Sequence, residues 1–379
     1  MDACECVIVG GGPAGSACAW ALQRAGVDTL ILDKNTFPRD KICGGWITPQ
    51  VLQELDVGSD YASNRVFQPI RGFRVGCIDG RIVETHYDEP VSYGIRRREF
   101  DEYLVRRSGA RLVEERPLRS LERIDGGWIV NGEIEARVVV GAGGHFCPVA
   151  RHLNPGLKSE IIVAAQEAEF KMSPSQRDSC AVQGDIPELY FCRDLRGYGW
   201  CFRKGDFLNI GLGRLDSHRL GEHVAEFIAF LRRTKRIGFD LPRKPLGHAY
   251  LLYGKTQRNF LADGVVLIGD AAGLAYTQSG EGIRPAIESG LLAARTLIEA
   301  KGDFSEAKLA AYRGLLASRF GDQQDWSTRI GPKLPAGLMS ALGRLLLATP
   351  WFSRQVVVEK WFLHSDEPAL EISPVPVAV

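Results

Sequence analysis

The sequence predicts an α/β fold with a parallel sheet, an inserted and mostly antiparallel β domain, and a C-terminal helical segment. Short β-branched runs at Cys4–Val9, Thr29–Leu32 and Val265–Ile268 are typical of buried parallel strands, and Ala-rich helical stretches lie between and after them. Alternating apolar and polar residues with Gly and Asp turns, at 70–91 and about 160–250, instead indicate antiparallel strands. The two patterns together predict two kinds of sheet in one chain.

Composition and charge exclude several classes of protein. The 379 residues are 45% hydrophobic, carry a formal net charge of +1 and include nine cysteines. The charge balance argues against a nucleic-acid partner, and no Cys or His spacing predicts a metal site. We interpret most cysteines as reduced, buried residues of a cytoplasmic protein, since the chain starts without a signal peptide and has no apolar run long enough to span a bilayer.

A glycine motif follows the first strand. Gly10, Gly12 and Gly15 form G-x-G-x-x-G between Cys4–Val9 and a helix, and Asp33 ends the second strand 18 residues after Gly15. Such glycines allow a tight turn, a close approach of pyrophosphate and close helix packing, while the acid accepts hydrogen bonds from ribose hydroxyls. The pattern predicts a Rossmann-type domain that binds one dinucleotide.

The other elements follow from periodicity and turn residues. Helices are predicted at Ser16–Arg24, Pro49–Leu55, Glu99–Ser108, Glu222–Arg233, Gly282–Glu299 and Glu306–Phe320, strands within Arg111–Ile134 and at Val138–Val140, and a loop at Thr36–Ile47. The dinucleotide domain is therefore expected to be discontinuous, over 1–70, 95–160 and 255–325, with a β-rich substrate domain at 71–94 and 161–254 and a C-terminal helical segment at 326–379.

A second signal follows the strand Val265–Ile268. Gly269 and Asp270 stand at its carboxyl end, where ligands bind in open α/β sheets. Asp270 is predicted to hold hydroxyl groups of the ligand, and the stretch 280–283 to present a helix N-terminus. A buried Asp that caps a helix is the alternative.

Several motifs in this order resemble a known group of flavoproteins. They are the glycine motif at 10–15, Arg97-Arg98-Glu99-Phe100-Asp101, Gly141-Ala142-Gly143-Gly144, Gly269-Asp270-Ala271-Ala272-Gly273 and Ser279-Gly280-Glu281-Gly282-Ile283. They are similar to FAD-dependent monooxygenases and reductases with the p-hydroxybenzoate-hydroxylase-like fold. Cys43-Gly44-Gly45 and Tyr198-x-Trp200-x-Phe202 most resemble the geranylgeranyl reductase family, from which the chain departs at Arg203, Gly143 and Thr277.

The resemblance implies a Rossmann-type FAD-binding domain with non-covalent FAD. The residues that it assigns to the cofactor are Gly10, Gly12, Pro13, Ala14, Gly15, Asp33, Lys34, Cys43, Gly44, Gly45, Arg97, Gly269, Asp270, Gly280, Gly282 and Ile283. It implies that Tyr198, Trp200 and Phe202 line an apolar pocket, with Cys43, Tyr198 and Trp200 as catalytic candidates. Ordinary alternatives are core packing for Trp200, a small loop residue for Cys43 and a surface charge for Arg97.

The expected activity is reduction of C=C bonds in an isoprenoid or other small hydrophobic substrate, such as a lipid or polyprenyl, by hydride from reduced flavin. Because Phe146 replaces the third Gly after Gly141, a second dinucleotide domain is not predicted, and NAD(P)H or another reductant is expected to bind transiently. An aromatic monooxygenase and a non-catalytic flavin-binding protein are the alternatives. The apolar stretch Leu334–Leu363 is either a peripheral membrane contact or a helical cover for the core.

Overall fold

The computed structural model describes residues 2–157, 160–321 and 336–371. Its strands are β1 (Asp2–Val9), β2 (Thr29–Leu32), β3 (Trp46–Ile47), β4 (Phe67–Ile70), β5 (Gly72–Cys77), β6 (Ile82–His86), β7 (Ser92–Ile95), β8 (Arg111–Val113), β9 (Leu121–Ile124), β10 (Gly127–Val130), β11 (Ile134–Gly141), β12 (Ile162–Lys171), β13 (Glu188–Phe191), β14 (Gly197–Lys204), β15 (Phe207–Arg214), β16 (Leu246–Leu251), β17 (Leu261–Ala262) and β18 (Val265–Leu267). Its helices are α1 (Pro13–Arg24), α2 (Pro49–Glu54), α3 (Ser59–Ser63), α4 (Arg97–Arg107), α5 (Pro148–Leu153), α6 (Pro174–Asp178), α7 (Leu220–Arg233), α8 (Ile283–Ala300), α9 (Glu306–Leu309), α10 (Ala311–Phe320) and α11 (Ala336–Leu347).

The first sheet is the parallel one. Its strand order is β17-β18-β11-β1-β2-β8, and all neighbours from β18 to β8 are parallel. The end of β11 pairs with β18, whereas its first half pairs on that side with β10, which forms a hairpin with β9. Helices α1 and α8 cross so closely that a Cβ on Gly290 would lie 2.3 Å from the carbonyl oxygen of Ala14. The predicted α/β fold with a Rossmann-type domain is confirmed.

The second sheet has seven strands in the order β16-β12-β15-β14-β13-β5-β6. One face packs on α7 through a buried cluster that includes Leu212, Val224 and Phe227. Along β12, β14 and β15, every second side chain points away from α7. These side chains form the opposite face, which is turned towards the parallel sheet. A smaller third sheet joins β3, β7 and β4.

The C-terminal segment packs on that opposite face. Val357, Val358 and Phe362 of a π-helical stretch, Phe352–Phe362, are buried with Trp46 and Phe73. Positions 326–335 and 372–379 of the predicted helical segment lie outside the described residues. In the part of the chain that the structure describes, no helix combines the length and apolarity needed to cross a bilayer.

Four local predictions need correction. Helix α1 begins at Pro13, not Ser16, because proline is favoured in the first turn of a helix, where its missing N–H costs nothing. The helix predicted over Glu306–Phe320 divides at Ala310 into α9 and α10. Two residues of the predicted loop at 36–47 form β3. In the 70–91 region β5 and β6 pair antiparallel as predicted, but the other neighbour of β5, β13, is parallel to it.

Candidate functional site

One cavity of about 610 Å³ lies between the parallel sheet and the second sheet. Most of the predicted site residues line it, namely Gly10, Gly12, Pro13, Ala14, Asp33, Lys34, Cys43, Gly44, Gly45, Arg97, Tyr198, Trp200, Phe202, Asp270, Gly280, Gly282 and Ile283. Gly15 and Gly269 are the two predicted residues that do not line this cavity. The chain therefore brings residues that are as much as 270 positions apart to one place.

The glycines of the motif have two different roles, backbone packing and access for a ligand. Gly10 has φ +115°, and a Cβ there would lie 2.5 Å from the carbonyl oxygen of Ala142. A Cβ on Gly15 would lie 2.0 Å from the carbonyl oxygen of Gly10, so both glycines are required by backbone packing. A Cβ on Gly12 would instead meet its nearest atom, Arg39 Nη2, at 3.6 Å. The space in front of Gly12 is open, and it adjoins the N-terminus of α1, which has no side-chain cap.

Asp33 fixes the turn after the second strand. Its Oδ2 accepts a hydrogen bond of 2.8 Å from the Gly11 amide, and its Oδ1 accepts one of 2.9 Å from the Asn35 amide. The carboxylate thus holds the glycine turn in shape, and each oxygen keeps a further lone pair for a ribose hydroxyl.

Arg97 is buried, so the surface-charge alternative does not hold. Its Nε and Nη2 donate to the two carboxylate oxygens of Asp101 at 2.7 and 2.9 Å, and Arg39 Nη1 lies 3.1 Å from Asp101 Oδ2. Although burial disfavours the charge, Asp101 keeps the pKa of Arg97 above its ordinary value. The guanidinium is a permanent cation in the cavity wall.

A second helix N-terminus meets the cavity at α8, where Gly282 is the N-cap residue and no side chain caps the helix. Asp270 stands beside it, since a Cβ on Gly282 would lie 3.4 Å from Asp270 Oδ1. Asp270 caps neither α8 nor its own 3₁₀ turn, Gly269–Ala271, which argues against the capping alternative.

Two basic residues face Asp270. His248 Nε2 lies 4.0 Å from Asp270 Oδ2, and Lys41 Nζ lies 3.1 Å from His248 Nε2. Burial, with the charges of Lys41 and Arg97, lowers the pKa of His248 to about 3. Burial also lowers the pKa of Lys41. His248 is therefore a neutral imidazole at neutral pH.

The far end of the cavity is aromatic. Tyr198, Trp200 and Phe202 alternate on β14 and point from the same face of the sheet, where Trp200 is 8% exposed and lines the cavity. Phe362 stacks on Trp46 with ring centroids 5.5 Å apart and meets the ring of Tyr198 edge-on at 5.4 Å. Trp200 thus packs in the core and forms the wall of the cavity at once.

A polar cluster lies under this wall. Asn209 accepts a hydrogen bond of 2.7 Å from Trp200 Nε1 and donates to the Cys43 carbonyl at 3.0 Å and to Glu167 Oε1 at 3.2 Å. Lys204, 1% exposed, donates to the Gly44 carbonyl at 2.8 Å. These contacts attach the loop of Cys43, whose Sγ accepts from the Gly45 amide at 3.5 Å, to the sheet.

Polar residues of the site that sequence reasoning missed include Arg39, Lys41, Glu167, Lys204, Asn209 and His248. Their signal was present but weak, because Glu167 and Glu169 alternate in a strand that is otherwise largely apolar, and Lys204 continues the alternation of the aromatic residues on β14. In the described residues, no group of three or more His, Cys, Asp or Glu side chains is arranged to bind a metal ion.

The site fits a dinucleotide. The open space at Gly12 and the uncapped N-termini of α1 and α8 offer amide donors to negatively charged or carbonyl groups at two separate places in the cavity wall. Arg39, Lys41 and Arg97 add positive charge between them. The aromatic end suits an apolar molecule beside a flat ring.

Comparisons with known proteins agree with this reading. The family model of the NAD(P)-binding Rossmann-like domain matches residues 8–70. A menaquinone reductase of Mycobacterium tuberculosis is 30% identical over 84% of this chain and 81% of its own. A digeranylgeranylglycerophospholipid reductase of Methanocaldococcus jannaschii is 27% identical over 82% and 81% of the two chains.

Among solved structures, a geranylgeranyl bacteriochlorophyll reductase-like protein from Thermoplasma acidophilum has the same fold. Its TM-score is 0.71 at 23% identity, over 92% of this chain and 88% of that one. The family and the enzyme class predicted from the motifs are confirmed. The chain belongs to the geranylgeranyl reductase family of FAD-dependent oxidoreductases.

Proposed function

We propose that this protein reduces C=C bonds of a polyprenyl chain, with FAD held non-covalently in the cavity. The observation that carries the proposal is the continuity of one cavity from the open face of Gly12 to the aromatic wall of Trp200 and Phe362. Geranylgeranyl groups and menaquinone, which the names of the relatives contain, both carry isoprenoid chains. An apolar, aromatic-lined end suits such a chain.

The chain's own residues would hold the cofactor in two places. The backbone amides of Gly12 and Ala14, at the N-terminus of α1, would bind the pyrophosphate, and Asp33 would bind a ribose. Asp270 would bind the ribityl hydroxyls, with the backbone of Gly280–Ile283 beside the ring system. When bound, FAD supplies hydride chemistry.

The second sheet would place the substrate and exclude water. Tyr198 donates its hydroxyl hydrogen to the carbonyl oxygen of Ser279, next to Gly280, so the aromatic wall is attached to the loop at the start of α8. Trp200 is held by Asn209. Both rings are therefore fixed in orientation. Fixed rings can position an apolar substrate chain that has no polar group for the protein to bind.

The electron donor in the proposal is NAD(P)H or another reductant that binds transiently. The sequence offers one complete G-x-G-x-x-G, which FAD would occupy, and His145-Phe146 stand where a second motif would end. An electron donor without a binding motif of its own would reduce the flavin and then dissociate.

Lipid contact is also part of the proposal. Helix α11 and the residues after it expose Met339, Leu342, Leu345, Leu346 and Trp351, with exposures from 38% to 68%. The π-helical stretch that follows brings Phe362 into the cavity wall. An apolar surface continuous with the substrate end would let the enzyme take a lipid-borne chain from a membrane.

The decisive experiment is anaerobic turnover. Enzyme reduced with dithionite is incubated with geranylgeranyl diphosphate, and the masses of the products are measured by mass spectrometry. The proposal expects a gain of two hydrogens per reduced double bond, and a Trp200→Ala variant that binds flavin but forms less product. Recovery of unchanged substrate with fully reduced, flavin-loaded enzyme would overturn it, and an oxygenated product on admission of air would favour a monooxygenase.

A further inference from the structure

Glu167 is an acid in the wall of the cavity that no motif identifies. It lies at the centre of β12, is 5% exposed and lines the cavity beside Ala165 of the same strand. Pairing with β15 places it opposite Gly211, which in turn is opposite Trp200 on β14. Glu167 and Trp200 therefore share the face of the sheet that is turned towards the parallel sheet.

Among the described residues, a hydrogen bond is made to one of its two carboxyl oxygens. Oε1 accepts a hydrogen bond of 3.2 Å from Asn209 Nδ2, which also donates to the Cys43 carbonyl. Oε2 is buried, and no hydrogen bond to it is made by the described residues. A buried carboxyl oxygen without a partner is costly as an anion, whereas a carboxylic acid keeps an O–H group that it can donate to a ligand.

The surroundings of Glu167 both raise and lower its pKa. Burial, the largest effect, raises the pKa of Glu167 to about 8; Glu169 on the same strand adds to the shift, and Lys204 on β14 opposes it. Lys204 Nζ lies 2.6 Å from Glu169 Oε1, so its charge is already paired with that acid. The Cys43 backbone and the Asn209 amide also lower the pKa of Glu167, but the effect of burial is the largest. Of the two adjacent acids, Glu169 carries the negative charge and Glu167 keeps its proton at neutral pH.

We infer that Glu167 is the acid that donates the proton when a double bond is reduced in this cavity. The inference rests on the proposed function. Tyr198 is less suited, because its hydroxyl hydrogen is donated to the Ser279 carbonyl. Glu167 combines a place in the cavity wall with an oxygen that the protein leaves unpaired.

The step balances as an addition of two hydrogens. Hydride from the reductant reaches one carbon of the double bond, and the proton of Glu167 reaches the other. The O–H bond of Glu167 breaks as the C–H bond forms, the carboxylate remains, and it regains its proton from solvent before the next turnover.

The first test reads the proton on Glu167 without turnover. Infrared spectra of the flavin-loaded protein labelled with ¹³C-glutamate are recorded across a pH titration, because a protonated carboxyl group has its own C=O stretch. We expect a band that is lost near pH 8 in the wild-type protein and is absent in Glu167→Gln. In Glu169→Gln the band should be present but lost at a lower pH, because the charge of Glu169 contributes to the raised pKa. If Glu167→Gln keeps every protonated band of the wild-type protein, the inference is wrong.

The second test uses the anaerobic assay. Glu167→Gln should lower product formation about 100-fold or more, Glu167→Asp should restore part of it, and the wild-type rate should fall above about pH 8. Glu169→Gln, two residues away on the same face, should keep the proton donor but move the fall in rate to lower pH, because it removes a charge that raises the pKa of Glu167. Equal rates and pH profiles for Glu167→Gln and the wild-type enzyme would refute only the role of Glu167 as proton donor. A wild-type enzyme that saturates no polyprenyl would refute the proposed function. In that case the infrared band would still report the protonation state of Glu167.

Discussion

The ammonium group of Lys204 lies 2.8 Å from the carbonyl oxygen of Gly44 and joins the second sheet to the loop of Cys43. The same Nζ donates to the Ile95 carbonyl at 2.9 Å and lies 2.6 Å from Glu169 Oε1. Gly45 has φ +67°, and a Cβ there would lie 2.5 Å from this Nζ. Gly45 therefore makes room for a buried lysine, and both glycines of the loop line the cavity.

Removing that lysine should destabilise the fold and loosen the loop. Lys204→Met removes the lysine donor from two buried carbonyl oxygens and leaves the Glu169 carboxylate with only the contacts from Arg96 Nε and Asn209 Nδ2, both at 3.4 Å. This should cost about 3–5 kcal/mol of unfolding free energy. Urea unfolding followed by circular dichroism measures it. The double variant Lys204→Met, Glu169→Leu should regain part of the loss, since it removes the Glu169 charge too; a single variant within about 1 kcal/mol of wild type would show that the lysine does not hold the loop.

Two glycines of the first motif should respond differently to alanine. Gly12→Ala has room for its Cβ, so the protein should fold normally but bind FAD at least about tenfold more weakly, because the methyl group occupies the pyrophosphate side of the turn. Gly15→Ala should destabilise the fold itself, since its Cβ would lie 2.0 Å from the Gly10 carbonyl oxygen. Fluorimetric FAD titration and urea unfolding separate the two effects, and equal FAD affinity for Gly12→Ala and wild type would contradict the assigned cradle.

Gly211 should be needed for the position of Trp200. A Cβ on Gly211 would lie 2.2 Å from Trp200 Cζ2, so Gly211→Ala must displace the indole and should cost about 1–3 kcal/mol. Gly247 on β16 of the same sheet has no atom within 4 Å of such a Cβ, which makes Gly247→Ala the matched control. Thermal unfolding and tryptophan fluorescence report the change, and identical behaviour of the two variants would show that the ring has room to move.

The fold and the dinucleotide cradle were predictable because their signals are local. Gly10, Gly12, Gly15 and Asp33 lie within 24 consecutive residues. Gly10 and Gly15 are required by backbone packing, Asp33 accepts hydrogen bonds from backbone amides, and Gly12 keeps the turn open. The cluster of Glu167, Lys204 and Asn209 was not predictable, since three strands contribute one residue each and alternation along a strand does not tell which face is turned towards the site. Cys43 marked the loop but not the side chains that hold it.

Acidification should destabilise the protein through His248. Its pKa is about 3 in the folded protein and near 6.5 when unfolded, so the unfolded chain binds more protons between these values. Stability is therefore lost as pH falls through this window, by up to about 1.4 kcal/mol per pH unit. His248→Gln should lose less stability than wild type between about pH 6.5 and pH 5 in urea unfolding; parallel curves for the two proteins would mean that His248 is protonated in the fold.

The exposed apolar side chains around α11 should govern binding to lipid. Leu345 and Trp351 are 67% and 68% exposed, and burying even half of a large apolar side chain contributes about 1 kcal/mol. The double variant Leu345→Ser, Trp351→Ser should therefore bind vesicles of phosphatidylcholine and phosphatidylglycerol at least about tenfold more weakly in flotation assays. Leu246→Ser, at a 56% exposed leucine on β16, is the matched control and should float like wild type. If the double variant also floats like wild type, or if the wild-type protein stays at the bottom of the gradient, α11 does not bind a membrane, and the substrate must reach the aromatic end of the cavity from solution.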